Sequence, residues 1–275
     1  MIRLSVRCAP EQAELVLAEL LQIAPGGVEE EAGPGWVEYA IYGGEGELPE
    51  LGGVEAAAGD GLVEIRSESV PDDWADRWRD FHEPTELAGG RVVIRPSWRD
   101  NPIPHALDIV IDPGRAFGTG AHPTTRMCVE LLVVLADDGR AEGPAVDLGT
   151  GSAILAIVAA KLGFDPVSGV DLERPALEAA ATNARENGVE IQLSRLNLRD
   201  EAPPSAPTMI ANLTAPLLTG IAARLAVPEP PRRIVCSGLL TREAGEVTEA
   251  FAGAGFVVRE QRASADWSAL LLTPG

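Results

Sequence analysis

The stretch "AVDLGTGSAILAI", residues 145–157, decides how this chain is read. An apolar strand-like run ends at Leu148, a glycine-rich turn follows, and a second apolar run begins with the character of a helix. Gly149 and Gly151 permit a tight turn and leave the backbone open to close approach by a ligand. A dinucleotide fingerprint requires G-x-G-x-x-G, and the third glycine is replaced by Ile154. A phosphate-binding G-x-x-x-x-G-K-[ST] occurs nowhere in the chain, which excludes a P-loop nucleotide site.

Outward from this stretch, strands and helices alternate. "GGRVVIRPSW" and "ALDIVIDPG" read as strands, and "TTRMCVELLVVLA" as a helix with Met127, Leu131, Val134 and Leu135 on one side. "SAILAIVAAKLG" and "RPALEAAATNARENG" read as helices stopped by Gly163 and Gly188. Between and after them lie the strands "PAVDLG", "PVSGVD", "VEIQLS", "APTMIANL", "RRIVCSGLL", "GFVVRE" and "DWSALLLTP", with further helices at "APLLTGIAARLA" and "REAGEVTEAFAGAG". Repeated β-α-β units predict an α/β fold, a mostly parallel sheet covered by helices on both faces. The two consecutive strands at the end predict an antiparallel edge.

Residues 1–66 read differently, as a small α+β unit. "IRLSV" alternates like a strand, "PEQAELVLAELLQI" has helical spacing behind Pro10, and "GGVEEEAG", "WVEYAIYGG" and "GLVEIRSE" are strand-like pieces separated by glycines. Between the two parts, residues 67–84 are expected to hold a connecting helix, with Trp74, Trp78 and Phe81 forming an aromatic stripe that packs against a domain. The remaining part, 85–275, is the larger α/β domain.

The bulk composition narrows the function classes. With 45% apolar residues over 275, the chain can build a proper core. No apolar run is long enough to span a bilayer, and "MIRLSVRCAP" lacks the pattern of a secretory signal, so a cytoplasmic location and no membrane partner are expected. The cysteines Cys8, Cys128 and Cys236 and the histidines His82, His105 and His122 are scattered, without metal-ligand spacing. The formal charge of −20 disfavours direct binding to nucleic acid; it suits either solubility or recruitment of a basic partner. Residues 1–70 carry 14 acidic residues against 3 arginines, a local charge of −11.

Three features then converge on one chemistry. D-x-G-x-G-x-(G/A), from Asp147 to Ala153, resembles the first motif of Rossmann-like class I methyltransferases, which use S-adenosylmethionine. Asp171, in "GVDLE", closes the next strand, where a carboxylate can accept bonds from both ribose hydroxyls; the alternative is that it only caps the following helix. Asn212, in "MIANLTAPLL", follows a later strand, where this fold opens its crevice. A carboxamide there can accept from an amine N–H without adding charge, whereas in isolation an Asn before a helix is usually an N-cap.

The chain as a whole resembles the methyltransferases that modify large-subunit ribosomal protein eleven, the PrmA type. The pieces that carry the resemblance are "DDWADRWRDFHEP", "DPGRAFGTGAHPTTRMC", "DLGTGSAILAI", "GVDLERPALEAAATNARENG", "ANLTAPLL", "SGLL" and the late Trp of "DWSALLL", in family order from residue 72 onward. The resemblance implies S-adenosylmethionine as cofactor and S-adenosylhomocysteine as product. It implies cofactor contacts at Thr125, Gly149, Gly151, Asp171 and Asn212, a bordering lid segment with Phe117 and Gly118, and Asn212 as the catalytic residue that holds the amine. It implies a basic ribosomal protein as substrate, recruited by the N-terminal domain; the scattered cysteines and histidines, for their part, lead to no metal being expected. Ala153 stands where the family's loop usually has a third glycine. Two other readings stay open on sequence: a methyltransferase for a different protein or a small amine, and a degenerate, cofactor-free binding module. The oligomeric state is open as well.

Overall fold

The computed structural model describes residues 2–13, 16–17, 20, 28–43, 62–69, 82–112, 122–225 and 230–275. The chain divides into two compact units, residues 1–82 and 83–275. The expected stripe Trp74, Trp78 and Phe81 lies outside the described residues. No helix among the described residues is long and apolar enough to cross a membrane.

The first unit holds four antiparallel strands, β1 (Ile2–Cys8), β2 (Glu29–Gly33), β3 (Trp36–Gly43) and β4 (Leu62–Ser69), in the order β2-β3-β1-β4. The last of these runs three residues beyond 66. Period-two alternation sends Val6, Cys8, Tyr39 and Ile41 to one face, where they pack with Val16 and Leu20. On the other face Glu38 lies opposite Arg7 in the β1–β3 register and accepts from Arg3 at 2.8 Å and Arg7 at 3.1 Å. Burial works to raise the Glu38 carboxyl, but the hydrogen bonds and charge of the two arginines hold it below its usual range. Arg7 also stacks over the Trp36 ring, 3.9 Å from its centroid. The acidic edge strand β2 keeps Glu29, Glu30 and Glu31 exposed.

The second unit opens with a small sheet, β5 (Thr85–Leu87), β6 (Val92–Arg95) and β7 (Leu107–Val110), with β6 antiparallel to β5 and parallel to β7. These two strands therefore do not join the main parallel sheet, as simple alternation suggested. An apolar run declares burial, not which sheet it pairs with, and the connection between β6 and β7 contains no helix.

The main sheet contains β8 (Ala145–Leu148), β9 (Val167–Asp171), β10 (Ile191–Arg195), β11 (Thr208–Asn212), β12 (Arg233–Leu240), β13 (Phe256–Ser264) and β14 (Trp267–Pro274), ordered β10-β9-β8-β11-β12-β14-β13. The first five run parallel, and β14 is antiparallel to both its neighbours. The terminal hairpin is antiparallel as expected, but its second strand slips inside, so β13 becomes the edge. Relative to the doubly wound dinucleotide order, this is one antiparallel strand wedged before the last.

Helices α1 (Pro123–Asp137), α2 (Ile154–Leu162), α3 (Arg174–Glu186), α4 (Ala215–Ala223) and α5 (Ala244–Gly253) cover the sheet. Ala145, Ile210, Val235 and Leu271 pack with α1 and α2. Their neighbours Val146, Met209, Ala211, Ile234, Cys236, Leu270 and Leu272 pack with α4 and α5. Because both faces are covered, the strands read as continuous apolar runs. Gly163, at φ 111°, caps α2, and Gly188, at φ 66°, follows α3, as the sequence predicts.

Candidate active site

The sheet reverses direction of winding between β8 and β11, and a crevice opens there at the strands' carboxyl ends. A pocket of about 300 Å³ fills it. Thr125, Asp147, Gly149, Thr150, Gly151, Asp171 and Asn212 line it, joined by Ile154, Leu155, Leu172, Glu173, Leu196–Arg199, Leu213 and Leu217. Of the seven residues expected from sequence, five thus share one cavity. Phe117 and Gly118 lie outside the described residues.

One wall is the turn after β8. Gly149 sits at φ 70° and Gly151 at φ 53°, left-handed conformations that favour glycine. A Cβ on Gly149 would come within 2.4 Å of Leu213 Cδ2. The turn is bonded to the next strand: Gly149 and Thr150 both donate N–H groups to the Val170 carbonyl, at 2.8 and 2.9 Å. Ala153 also adopts a left-handed conformation, φ 63° and ψ 18°, as the N-cap of α2. The alanine therefore follows a glycine's backbone path. Asn183 of α3 donates to the Ser152 carbonyl at 2.9 Å and holds the turn from behind.

Asp171 anchors two segments at once. Its Oδ2 accepts from the Gly151 N–H at 2.9 Å and its Oδ1 from the Glu173 N–H at 3.0 Å. Glu173, not Asp171, is the N-cap of α3. A carboxylate has about four lone-pair sites, so two bonds from the protein leave capacity facing the pocket. Under the turn, Asp147 is 2% exposed and accepts from Thr150 Oγ1 at 2.8 Å. Burial, with Asp171 nearby, pushes its carboxyl up to about 7, against hydrogen bonds from Thr150 and the Ala156 N–H that pull the other way.

The opposite wall comes from distant parts of the chain. Thr125 lies in the first turn of α1, whose start is set by Pro123 and by the N-cap His122, which accepts from the Thr124 N–H. Burial holds the His122 imidazolium below its ordinary pKa, and its ring meets Trp267 edge-on at 5.0 Å. Asn212 ends β11 and donates from Nδ2 to Thr125 Oγ1 at 3.4 Å. Helix α4 is capped by Thr214 instead. The Asn212 carboxamide oxygen has no protein partner among the described residues. Gly238, at φ 84°, underlies this wall: a Cβ there would fall 2.5 Å from the Leu213 carbonyl oxygen and 2.8 Å from its nitrogen.

Sequence reading missed three contributors. Asp147 was visible as the first letter of its motif but carried no role. Gly238, in "SGLL", belonged to a piece that carries the resemblance but had no role of its own, because its contact is with a segment 25 residues upstream. Leu196–Arg199 follow β10, an edge strand with Gln192, Ser194 and Arg195 exposed and Ile191 and Leu193 only half-buried, which gives no strong pattern. The first of the three could have been found by asking why an acid interrupts a fully apolar strand.

A family model described as ribosomal protein L11 methyltransferase (PrmA) matches residues 52–274. The ribosomal protein L11 methyltransferase of Marinobacter nauticus is 43% identical over 211 residues, 75% of this chain and 68% of the relative. That of Geobacter metallireducens is 39% identical over 206 residues, 74% and 67% of the respective chains. The crystal structure of a ribosomal protein L11 methylase from Lactobacillus delbrueckii subsp. bulgaricus aligns with a TM-score of 0.60 and 26% identity, covering 69% of this chain and 97% of that one. Strand order and pocket together define a Rossmann-like class I methyltransferase. Within that class, the chain belongs to the ribosomal protein L11 methyltransferase (PrmA) family.

Proposed function

We propose that the enzyme transfers methyl groups from S-adenosylmethionine to amines of a ribosomal protein, large-subunit protein eleven, at lysine side chains or the N-terminal amine. The observation that carries this reading is the convergence of Thr125, Gly149, Gly151, Asp171 and Asn212 on one pocket at the reversal of the sheet. The residues suit the cofactor. The pocket volume lies at the small end of the range for ligand sites. Three acidic residues, Asp147, Asp171 and Glu173, line it against one cation, Arg199, a balance that favours a positively charged occupant. The Gly149–Gly151 backbone lets a ligand approach closely, and Asp171 has acceptor sites to spare for two ribose hydroxyls. On the family resemblance, Phe117 and Gly118 would border the cofactor from the segment before α1.

When bound, the cofactor supplies an electrophilic methyl on a sulfonium: a C–N bond forms, the C–S bond breaks, and the sulfur leaves as a neutral thioether. The protein's part is positioning. A lysine with an unperturbed pKa of about 10.4 must arrive neutral to attack, and burial beside a positive charge lowers that value. The free carboxamide oxygen of Asn212 would accept from the amine and orient its lone pair. Thr125, bonded to Asn212 Nδ2, would keep that oxygen turned into the pocket. The released proton passes to water.

Residues 1–66 would recruit the substrate, followed by a linker over 67–84 and the catalytic domain over 85–275. The net charge of −11 over residues 1–70 suits a basic partner. Direct contact with nucleic acid is not part of this reading. The test is incubation with labelled cofactor and the purified ribosomal proteins of the same organism, followed by mass spectrometry. Label on the large-subunit protein at lysine or N-terminal amines is expected; label on another protein or on a small amine alone would overturn the substrate assignment.

A further inference from the structure

We propose that Asp147 is a proton-linked counter-charge for the donor: it gives up its proton when the cationic cofactor enters, so that the pocket distinguishes the charged donor from the spent, neutral-sulfur product. The inference rests on the cofactor reading above and deepens it.

The geometry is unusual for a buried acid. Asp147 is the one charged residue of β8, a strand whose every position is buried. Alternation puts Val146 and Leu148 into the α4–α5 core and sends Asp147 toward the side of α1 and α2. It nevertheless lines the pocket, beneath the turn that carries Gly149 and Gly151. Its hydrogen bonds come from Thr150 Oγ1 and the Ala156 N–H, both neutral donors. Among the described residues no Arg or Lys pairs with it. The ionisable groups around it are Asp171 from the end of β9 and Cys128 from α1, whose own thiol is driven well up by burial beside Cys236 of β12. Glu173 and Arg199 stand in the pocket lining. A buried carboxyl with no cationic partner is kept neutral by its surroundings, and that is the direction of its titration, to about 7.

A sulfonium placed in this cavity supplies the missing positive charge. In a site of low polarity, an opposite charge within a few ångströms favours the carboxylate. The acid O–H bond then breaks and its proton goes to solvent. After methyl transfer the sulfur is neutral, the counter-charge is gone, and the carboxylate reprotonates. Donor binding is thus coupled to proton release, and methyl transfer to proton uptake, so that the product leaves without a further change in protonation. His122, the N-cap of α1, is the other group near the site whose ordinary range lies close to neutrality, so the test must separate the two.

Isothermal titration with S-adenosylmethionine and S-adenosylhomocysteine, in buffers of contrasting ionisation heat, counts the protons. For a group titrating near 7, release of roughly three-quarters of a proton is expected with the donor at pH 6.5, and about a tenth at pH 8. Donor affinity should be about tenfold weaker at pH 6 than at pH 8, and product affinity should change by less than about threefold. Asp147→Asn should abolish the proton release and flatten the pH dependence, while His122→Asn should retain both. Donor binding with no buffer-dependent heat, or a pH slope preserved in Asp147→Asn, would overturn the assignment. If Asp147→Asn does not fold, the buffer series on the native enzyme decides alone. Failure of the native enzyme to bind S-adenosylmethionine at any pH would instead break the cofactor reading on which this rests.

Discussion

The two walls of the pocket are built on different principles. The β8 wall is local: Asp147 to Ala153 make the turn, and Asp171, 20 residues from Gly151 in sequence, ties it down. The Asn212 wall is assembled from afar: Thr125 lies 87 residues from Asn212, and Gly238 presses on Leu213 from a different strand. The first wall is shaped by backbone conformations that glycine makes easy. The second is shaped by close packing between segments whose sequences carry no sign of one another. On the proposed roles, the first wall chiefly holds the cofactor and the second presents the amine, and each wall can be probed in turn.

The largest effect is expected at Gly238, although it lines no part of the pocket. In Gly238→Ala the new methyl meets the Leu213 backbone, not a flexible side chain, and the residue must also keep a φ of 84°. The Asn212–Leu213 turn has to move, and a shift of ~1 Å at a reacting group costs about 10²-fold in rate. Turnover should fall by at least that factor, with a stability loss of about 2–3 kcal/mol from strain and overpacking, read by thermal denaturation. Turnover near the native value would show that the far wall tolerates displacement. Next comes Asn212→Ala, which removes the acceptor proposed for the amine while leaving Gly149, Gly151 and Asp171 in place. The expectation is a fall in kcat of about 10²-fold at nearly unchanged cofactor affinity. If kcat survives with cofactor binding intact, Asn212 does not hold the amine.

Asp171→Asn tests the near wall and should show the opposite signature. The variant keeps the shape but turns one of two acceptors into a donor, which faces the N–H of Gly151 or of Glu173. Losing a charge-assisted bond costs about 1.5–3 kcal/mol, so cofactor affinity should weaken by roughly 10- to 100-fold. At saturating cofactor, kcat should stay within about threefold of native. A kcat defect as large as that of Asn212→Ala would mean that the two walls do not work separately.

The same division accounts for what could be read in advance. Helix stops at Gly163 and Gly188, the loop glycines and the acidic end of β9 are local signals, and they appeared in the sequence as motif letters at fixed spacing. The α/β class was legible because strands covered on both faces become continuous apolar runs. Those runs did not reveal that β6 and β7 pair with each other away from the main sheet, nor that β14 inserts between β12 and β13. Pairing partners are chosen by tertiary contacts, and an apolar strand suits many neighbours. The buried acid in β8 was in plain view, yet its meaning depends on the missing cation around it, which is a property of the fold.

Ala153→Gly brings the smallest expected change and refines the account of the near wall. The native alanine pays for its left-handed backbone, about 1–2 kcal/mol relative to an ordinary conformation. Glycine removes that strain. It also gives up a fully buried methyl, worth about 0.8 kcal/mol of transfer alone, and adds about 0.5–1 kcal/mol of chain entropy lost on folding. These contributions oppose one another, so the melting free energy should move by less than about 1 kcal/mol, with cofactor affinity unchanged within about threefold. Ala153→Val marks the other limit: a β-branched residue is a genuine outlier at φ 63°, and a loss of more than about 2 kcal/mol is expected. Near-neutrality of glycine together with intolerance of valine would show that the alanine keeps the loop's path by packing. Strong stabilisation by glycine, beyond about 2 kcal/mol, would show instead that the turn carries unrelieved strain and that packing contributes little there.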